Sequence, residues 1–428
     1  MNDLIPAKKI NLDLADGLPT GPLTSEDSAA YVVFWWRGIP LGHLHIRREE
    51  MPLQPSQLCN LAIRTITPTV GAYVMEQGFE PLLPGYQTSR TATNSPDLNV
   101  LLALVKPLQT LERKCRMHLD ASVSVIICTR DRPEGLEGCL RSLLDCSPRA
   151  EEIVVVDNCP SSDATRRLIE QYPRVRYVLE PMPGLDFARN TGIRHSRGQI
   201  VAFVDDDVTV HRDWVARLAA CFSDSKVMAV TGLVLAEALE TEAQWLFEQH
   251  WGFNRGYRVL TYDSRYFNKL KPWGVPTWNV GAGANMAFRR EVFDQVGYFD
   301  VRLDVGAAGC SGDSELWYRL LSSGLTCRYE PKAVVCHNHR REMTALRQQL
   351  YYYMRGHTTA LLIQYAKHKH WGNLLRLFIL HPLYYVKLIA RGILGGFHGR
   401  HRFIPAEWAG CVSGLFFFLR NMHSYRKM

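Results

Sequence analysis

The chain has 428 residues, long for a single folding unit, and its 46% apolar and 21% charged residues are ordinary globular usage, which excludes wholesale disorder. Its 31 Gly and 22 Pro follow no period and no heptad run is sustained, so collagen-like and coiled-coil architectures are excluded as well. The net charge of +8 is uneven: from Lys332 onward fifteen Lys and Arg face only Glu342 and Glu407, a net +13 that leaves −5 for the first 331 residues.

Residues 1–118 read as an accessory domain of partly β character. A strand is expected over residues 31–36, a turn at Gly38-Ile-Pro40 and a short second strand over residues 43–46, followed by an irregular or helical remainder. Trp35 and Trp36 read as packing residues, and no chemistry is evident in this part.

From Val123 the texture changes to short β-branched runs, at 123–128, 152–157, 175–179, 199–204 and 227–235. Between them 133–146, 162–171, 185–195 and 212–222 have helical spacing, with Pro133 in a first turn and Asp163 near a helix start. This alternation predicts an α/β fold, a Rossmann-like, mostly parallel sheet with helices on both faces, over residues 119–341. Ligands of such sheets sit beyond the carboxyl ends of the strands.

Residues 342–428 form a basic, aromatic, helical region. One long helix is expected over 343–369, then a break at Trp371-Gly372-Asn373 and an apolar stretch over 374–397. Arg376, His381, Pro382, Lys387 and Arg391 interrupt that stretch, which argues against a membrane-spanning helix and for one lying in the plane of a membrane surface. Leu383, Tyr384, Val386, Leu388, Ile389, Ile393 and Leu394 would face acyl chains while Lys387 and Arg391 meet lipid phosphates. Nucleic acid is not expected as a partner; a salt-sensitive shift with DNA would reverse that choice. Eleven Cys without a C-x-x-C pair, and an N-terminus without a continuous apolar run, fit a cytoplasmic chain on the inner face of the cell membrane.

Polar residues cluster at the expected strand ends. Thr129-Arg130-Asp131 follows the first strand, Asp157-Asn158 the second and Asp205-Asp206-Asp207 the fourth. Three adjacent carboxylates repel one another, and a divalent cation supplies the missing counter-charge; an acidic turn into the next helix fits the same pattern. Gly283 and Asn285 lie in a Gly-rich segment, 278–288, where small residues let backbone approach a partner. Asp313 and Glu315 sit at the mouth of an amphipathic helix, as a cap and first-turn acid or as a general base facing a cleft. Cys336-His337-Asn338-His339 ends an apolar strand without a second pair at zinc spacing, so one imidazole completing an oxygen-rich cation site fits better than zinc.

In order, VSVIICTRDRPEGLEGCLRSLL, EIVVVDN, PGLDFARNTGI, IVAFVDDDVTVHRDWV, GAGANMAFRREVFDQVGYFD, SGDSELWYRLL and AVVCHNH resemble the family-two inverting nucleotide-sugar glycosyltransferases with the GT-A fold, over residues 122–341. The resemblance implies that Thr129, Arg130, Asp157, Arg189 and Asp206 bind the donor nucleotide, and that Asp205, Asp207 and His337 hold Mn²⁺ or Mg²⁺ against its diphosphate. It implies Asp313 as catalytic base, with Glu315, Gly283 and Asn285 on the acceptor side or in support. Two departures stand out: the first acid of the family's G-E-D-x-[DE]-L signature is Gly312 here, and the Q-x-x-R-W sequence of processive members is absent. The expected partners are a nucleotide-diphosphate sugar and a glycan or lipid-linked acceptor that receives one sugar with inversion, in cell-envelope or polysaccharide synthesis. A nucleotidyltransferase, which has no role for Asp313, and an inert sugar-binding module of the same fold are the alternatives.

Overall fold

A computed structural model describes residues 6–25, 28–75 and 121–421. The expected remainder of the N-terminal part from residue 76 to 118 lies outside the described residues, whereas residues 55–75 form a helix.

The N-terminal part is a three-stranded sheet of β1 (Ala7–Asp13), β2 (Ala29–Trp36) and β3 (Ile39–Ile46), in that order, with β1 parallel and β3 antiparallel to β2. Helix α1 (Pro55–Met75) covers one face, where Val32, Phe34, Leu41, Leu58, Ile66 and Val70 are buried together. Alternation along β2 sends Tyr31 and Val33 to the other face, into the core of the following domain. The N-terminal sheet is therefore packed onto the larger domain, not tethered beside it.

The larger sheet has the order β10-β12-β9-β11-β7-β4-β5-β6, with β8 paired to β12. Its strands are β4 (Val123–Thr129), β5 (Glu152–Asn158), β6 (Val175–Glu180), β7 (Ile200–Asp205), β8 (Val208–Val210), β9 (Val227–Ala236), β10 (Leu260–Tyr262), β11 (Asn285–Arg289) and β12 (Thr326–His337). Strands β4 to β7 are mutually parallel, and the apolar runs of β4, β5 and β7 are buried by helices on both faces, while the edge strand β6 leaves Arg176 and Leu179 exposed. Two buried clusters mark the two faces: Ile126, Val156, Phe203 and Trp317 on one, Val125, Val155, Val204 and Trp214 on the other.

Strand β11 departs from the parallel expectation, running antiparallel between β7 and β9. Strand β12 contains Pro331, which cannot donate to a ladder, and its pairing with β9 shifts register between Glu330 and Val334 to pass it. Beyond that irregularity β12 also pairs antiparallel with β8, setting His337 opposite Val208.

The C-terminal region is helical as expected. Helices α10 (Met343–His368) and α12 (Ile404–Asn421) cross closely because Gly410 and Gly414 carry no side chain: a Cβ on either would lie 2.2 or 2.5 Å from the carbonyl oxygens of Tyr351 and Arg355. Helix α11 (Gly372–Gly395) includes a π-helical turn at Arg376–Leu380. Among the described residues it is the helix long and apolar enough, by length and composition only, to cross a membrane, with a mean hydropathy of 1.4 over its most apolar 18 residues. The polar interruptions did not break it because two of them turn inward. The Arg376 Nε donates to Gly274 O at 2.8 Å, and His381 packs beside the His357 ring.

Candidate active site

The carboxyl ends of β4, β5 and β7 open into one cavity of about 1220 Å³. Thr129, Arg130, Arg189, Asp205, Asp206, Asp207, Gly283, Asp313 and His337 all line it. Its far wall comes from the C-terminal region, through Tyr352, His357, Arg376, His381, Tyr384 and Arg400.

The acidic end is organised by a residue that sequence reasoning passed over. Arg132, just before helix α2 (Pro133–Leu144), donates to Asp206 Oδ1 at 2.6 Å and to Asp207 Oδ2 at 3.0 Å. Asp206 also accepts from Thr129 Oγ1 at 2.7 Å, so the middle acid of the triplet is tied to the first strand end. Burial and the neighbouring Asp207 push the Asp205 carboxyl up to about 7, and burial pushes Asp206 up to about 6. Burial also opposes charge on Asp207, but His337, Arg132 and Arg340 outweigh it and hold this carboxyl below the usual range. Burial brings His337 down to about 4, a neutral imidazole near pH 7.

Among the described residues, Asp205, Asp207 and His337 form a group whose ligand atoms lie within 4.8 Å of one another. The Oδ1 of Asp207 is buried with no hydrogen-bond partner, although His337 Nε2 is 3.4 Å away. Two carboxylates and a neutral imidazole around an unsatisfied oxygen suit a divalent cation of the Mn²⁺ or Mg²⁺ kind.

Asp313 opens helix α9 (Gly312–Ser322). Its Oδ2 accepts from the Gly283 amide at 2.8 Å and its Oδ1 from the Ser314 amide at 2.6 Å, so the Gly-rich segment positions the acid. Burial, reinforced by Asp304, raises its carboxyl above the ordinary range, which makes the ionised form a stronger base.

Arg189 is buried and held by Asp186 at 2.9 Å and by a short contact to Asp304. Asp186 and Asp304, neither singled out in the sequence, account for the missing acid at Gly312. The Gly312 amide donates to Asp304 Oδ1 at 3.0 Å, and a Cβ at Gly312 would lie 2.3 Å from Asp186 Oδ2 and 2.7 Å from Asp304 Oδ2. Glycine leaves room for two carboxylates from elsewhere in the chain. Asp304 and Ser311 hold left-handed backbone conformations beside them, with φ of 51° and 80°.

Three sequence-based expectations meet other surroundings. Asp157 lies at the end of β5 but below the cavity lining, accepting from Tyr177 OH at 3.1 Å, while its neighbour Asn158 reaches the cavity and accepts from the Gly184 amide. Asn285 does not reach the cavity either: its amide donates to Leu233 O and Ala333 O and accepts from Trp214 Nε1, bridging β9 to β12. Glu315 faces the opposite side of α9, gripped by Arg319 Nε at 2.8–2.9 Å, and Arg319 in turn caps the carbonyls of Gly297 and Tyr298. The Glu315 carboxylate is thus committed to an ion pair outside the cavity lining.

Residues 124–297 match the model of glycosyl transferase family 2. The chain carries a family-two glycosyltransferase domain. Curated relatives agree. The glycosyltransferase AglE of Haloferax volcanii is 29% identical over 234 residues, 53% of this chain and 70% of its own length. The succinoglycan biosynthesis protein ExoM of Rhizobium meliloti is 28% identical over 226 residues, 51% of this chain and 66% of its length. A pre-mycofactocin glycosyltransferase of Mycobacterium tuberculosis is 28% identical over 229 residues, 52% of this chain but 43% of its length. Several relatives are thus matched over two thirds of their length or less. A solved mannosyltransferase, PcManGT of Pyrobaculum calidifontis in complex with GDP-Man and Mn²⁺, covers 85% of this chain and is itself covered to 99%, at 16% identity and a TM-score of 0.47. The fold is the α/β arrangement expected from the sequence, a central, largely parallel sheet flanked by helices, with a helical C-terminal region.

Proposed function

We propose that this glycosyltransferase moves one sugar from a nucleotide-diphosphate sugar to an acceptor hydroxyl with inversion, in a metal-dependent reaction of cell-envelope or polysaccharide synthesis. What carries the reading is one cavity that holds both Asp313, a raised carboxyl fixed by two backbone amides, and a separate group of Asp205, Asp207 and His337.

In this reading Asp205, Asp207 and His337 hold Mn²⁺ or Mg²⁺, which when bound offsets the negative charge that grows on a departing nucleoside diphosphate. Thr129, Arg130 and Asn158 surround the nucleoside end, and Asp157 supports that wall from below. Arg132 bridges and orients the Asp206 and Asp207 carboxylates. Arg189, fixed by Asp186 and Asp304, presents positive charge at the middle of the cavity, between the acidic group and the base. Asp313 accepts the proton of the attacking hydroxyl, and one such carboxylate is all that inversion requires.

The acceptor enters along the wall built from the C-terminal helices. The exposed apolar side chains of α11 next to that wall support attachment to an anionic membrane surface and a lipid-linked or envelope-glycan acceptor. A panel of nucleotide sugars tested by thermal unfolding with and without Mn²⁺ decides the donor: a true donor stabilises the protein only with the metal, and stabilisation by nucleoside triphosphates alone would favour nucleotidyl transfer.

A further inference from the structure

Behind His337 the structure contains a chain of buried polar side chains that the reaction itself does not use. His337 Nδ1 lies 2.9 Å from His339 Nδ1, and His339 Nε2 lies 2.9 Å from Glu248 Oε2. The His339 and Glu248 side chains are 1% and 6% exposed. Glu248 belongs to helix α6 (Glu242–Trp251), whose start is fixed by a capping box between Thr241 and Gln244. Phe247 and Phe253 flank the imidazoles, with ring centroids 4.7 Å from His339 and 5.5 Å from His337, and keep water from competing.

The order of donors follows from the last member. An ionised carboxylate only accepts, so His339 Nε2 carries the proton that faces Glu248. Burial opposes charge on Glu248, and the hydrogen bond from His339 outweighs it and holds the carboxyl below its ordinary range. Of the two Nδ1 atoms at hydrogen-bond distance one donates and the other accepts, and a His339 that carries its proton on Nε2 accepts at Nδ1, so His337 donates from Nδ1. That leaves the lone pair of His337 Nε2 directed at Asp207 Oδ1, 3.4 Å away with no hydrogen bond between them. Two electron-rich atoms facing each other across this gap match the needs of a cation.

We propose that Glu248 and His339 are positioning residues that fix the tautomer and ring orientation of His337, so that Nε2 is presented to a divalent cation held with Asp205 and Asp207. The inference rests on the metal-dependent reading of the site and extends it by two residues outside the cavity. It also gives the N-terminal sheet a place in the site. His45 of β3 packs edge-on against Trp245 of α6 at 4.5 Å, so β3 braces the helix that carries Glu248, and His43 of β3 meets the hydroxyl of Tyr257, in the segment after that helix, at 2.7 Å.

The test uses the full chain and Mn²⁺ alone as probe, with binding followed by the electron paramagnetic resonance of free Mn²⁺. His339→Leu and Glu248→Leu are expected to weaken Mn²⁺ binding about 10–100-fold. His339→Asn, whose Oδ1 can accept where Nδ1 did, recovers most of that loss, which a merely structural role would not produce. In the Mg²⁺-loaded native protein, ¹⁵N resonances of labelled histidine, assigned with His337→Gln, place the His337 proton on Nδ1. This second measurement needs neither the His339 nor the Glu248 variant. Native Mn²⁺ affinity in a folded His339→Leu protein, or a His337 proton on Nε2, overturns the relay and leaves the metal site standing. Failure of the native protein to bind Mn²⁺ overturns the metal site itself, and the relay with it.

Discussion

The imidazole Nε2 of His337 stands 3.4 Å from Oδ1 of Asp207, although His337 ends β12 and Asp207 lies in the turn before β8, far apart in the chain. Antiparallel pairing of β8 with β12 brings them together, and the Asn338 amide donating to Asp207 O at 3.0 Å fixes the junction. Protons compete with a cation for this group, because burial raises Asp205 to about 7 and Asp206 to about 6. A carboxyl whose folded pKa is raised binds its proton more tightly in the folded state, so without metal these two acids destabilise the fold as pH rises from about 4 toward 7. Metal binding needs the ionised form of Asp205 and reverses its share of that trend. We expect Mn²⁺ to raise the unfolding temperature at pH 8 and to do so far less at pH 5, and Asp207→Ala to abolish the effect. A metal-induced shift of equal size at both pH values, or in Asp207→Ala, contradicts the assignment.

Asp313 differs from the other acids in having two backbone donors and no side-chain cation in direct contact. Asp313→Asn retains shape and accepts one amide but cannot take up a proton. Transfer is expected to fall by about a hundredfold or more while donor binding persists, since general base catalysis contributes about 10²–10⁴. Only the ionised native carboxyl serves as base, and its pKa is raised. The rising limb of kcat/KM with pH therefore lies above the ordinary aspartate range. A rate independent of pH in that range, or native turnover in the variant, removes Asp313 from this role.

The parallel strands were legible because β4, β5 and β7 are buried on both faces and read as unbroken β-branched runs. β11 was not, since its five residues follow a Gly-rich segment that resembles loop, and β12 was recognised only in its second half because Pro331 hides the bulged pairing with β9. Within the site, Asp205, Asp207, Asp313 and His337 stand out locally, each at the end of a strand or the start of a helix. Arg132, Asp186, Asp304 and the Glu248–His339 pair do not, because their meaning arises from tertiary contacts between distant segments. Side-chain direction was equally hidden: nothing in the sequence turns Asn285 into the sheet or Glu315 toward Arg319.

Gly312 tests the explanation for the missing signature acid. Gly312→Ala places a Cβ 2.3 Å from Asp186 Oδ2, in a packed cluster of Arg189, Asp186 and Asp304. Overpacking of this kind costs about 1–3 kcal/mol. We expect a lowered midpoint in urea unfolding together with weakened donor binding, since Arg189 must shift with its partners. Unchanged stability and unchanged donor affinity would show that the two carboxylates do not need the space that glycine leaves.

The last expectation concerns the outer face of α11. Val386, Ile393 and Leu394 are 60%, 71% and 89% exposed, and Leu383 and Tyr384 are exposed beside them. Tyr385 and Leu388 instead pack inward with Ile404, so the apolar face offered to a membrane is narrower than the sequence pattern implied. Lys387 and Arg391 are exposed next to it, in position to meet anionic headgroups. Deleting the C-terminal region is a poor test, because α12 packs across α10 and Tyr384 and Arg400 line the cavity. Substitution on the outer face is cleaner. Each of these side chains stabilises an apolar environment by about 1.5–3 kcal/mol when fully buried, so replacing three of them with serine reduces binding by orders of magnitude. The full chain should co-sediment with vesicles containing an anionic phospholipid, and the variant combining Val386→Ser, Ile393→Ser and Leu394→Ser should stay in the supernatant with an unchanged unfolding temperature. Exposed sites tolerate such changes within about 0.5 kcal/mol. A folded triple variant that sediments as the native protein does would mean that this face is not the one in contact with lipid; a native protein that does not sediment would mean that the membrane is not its partner.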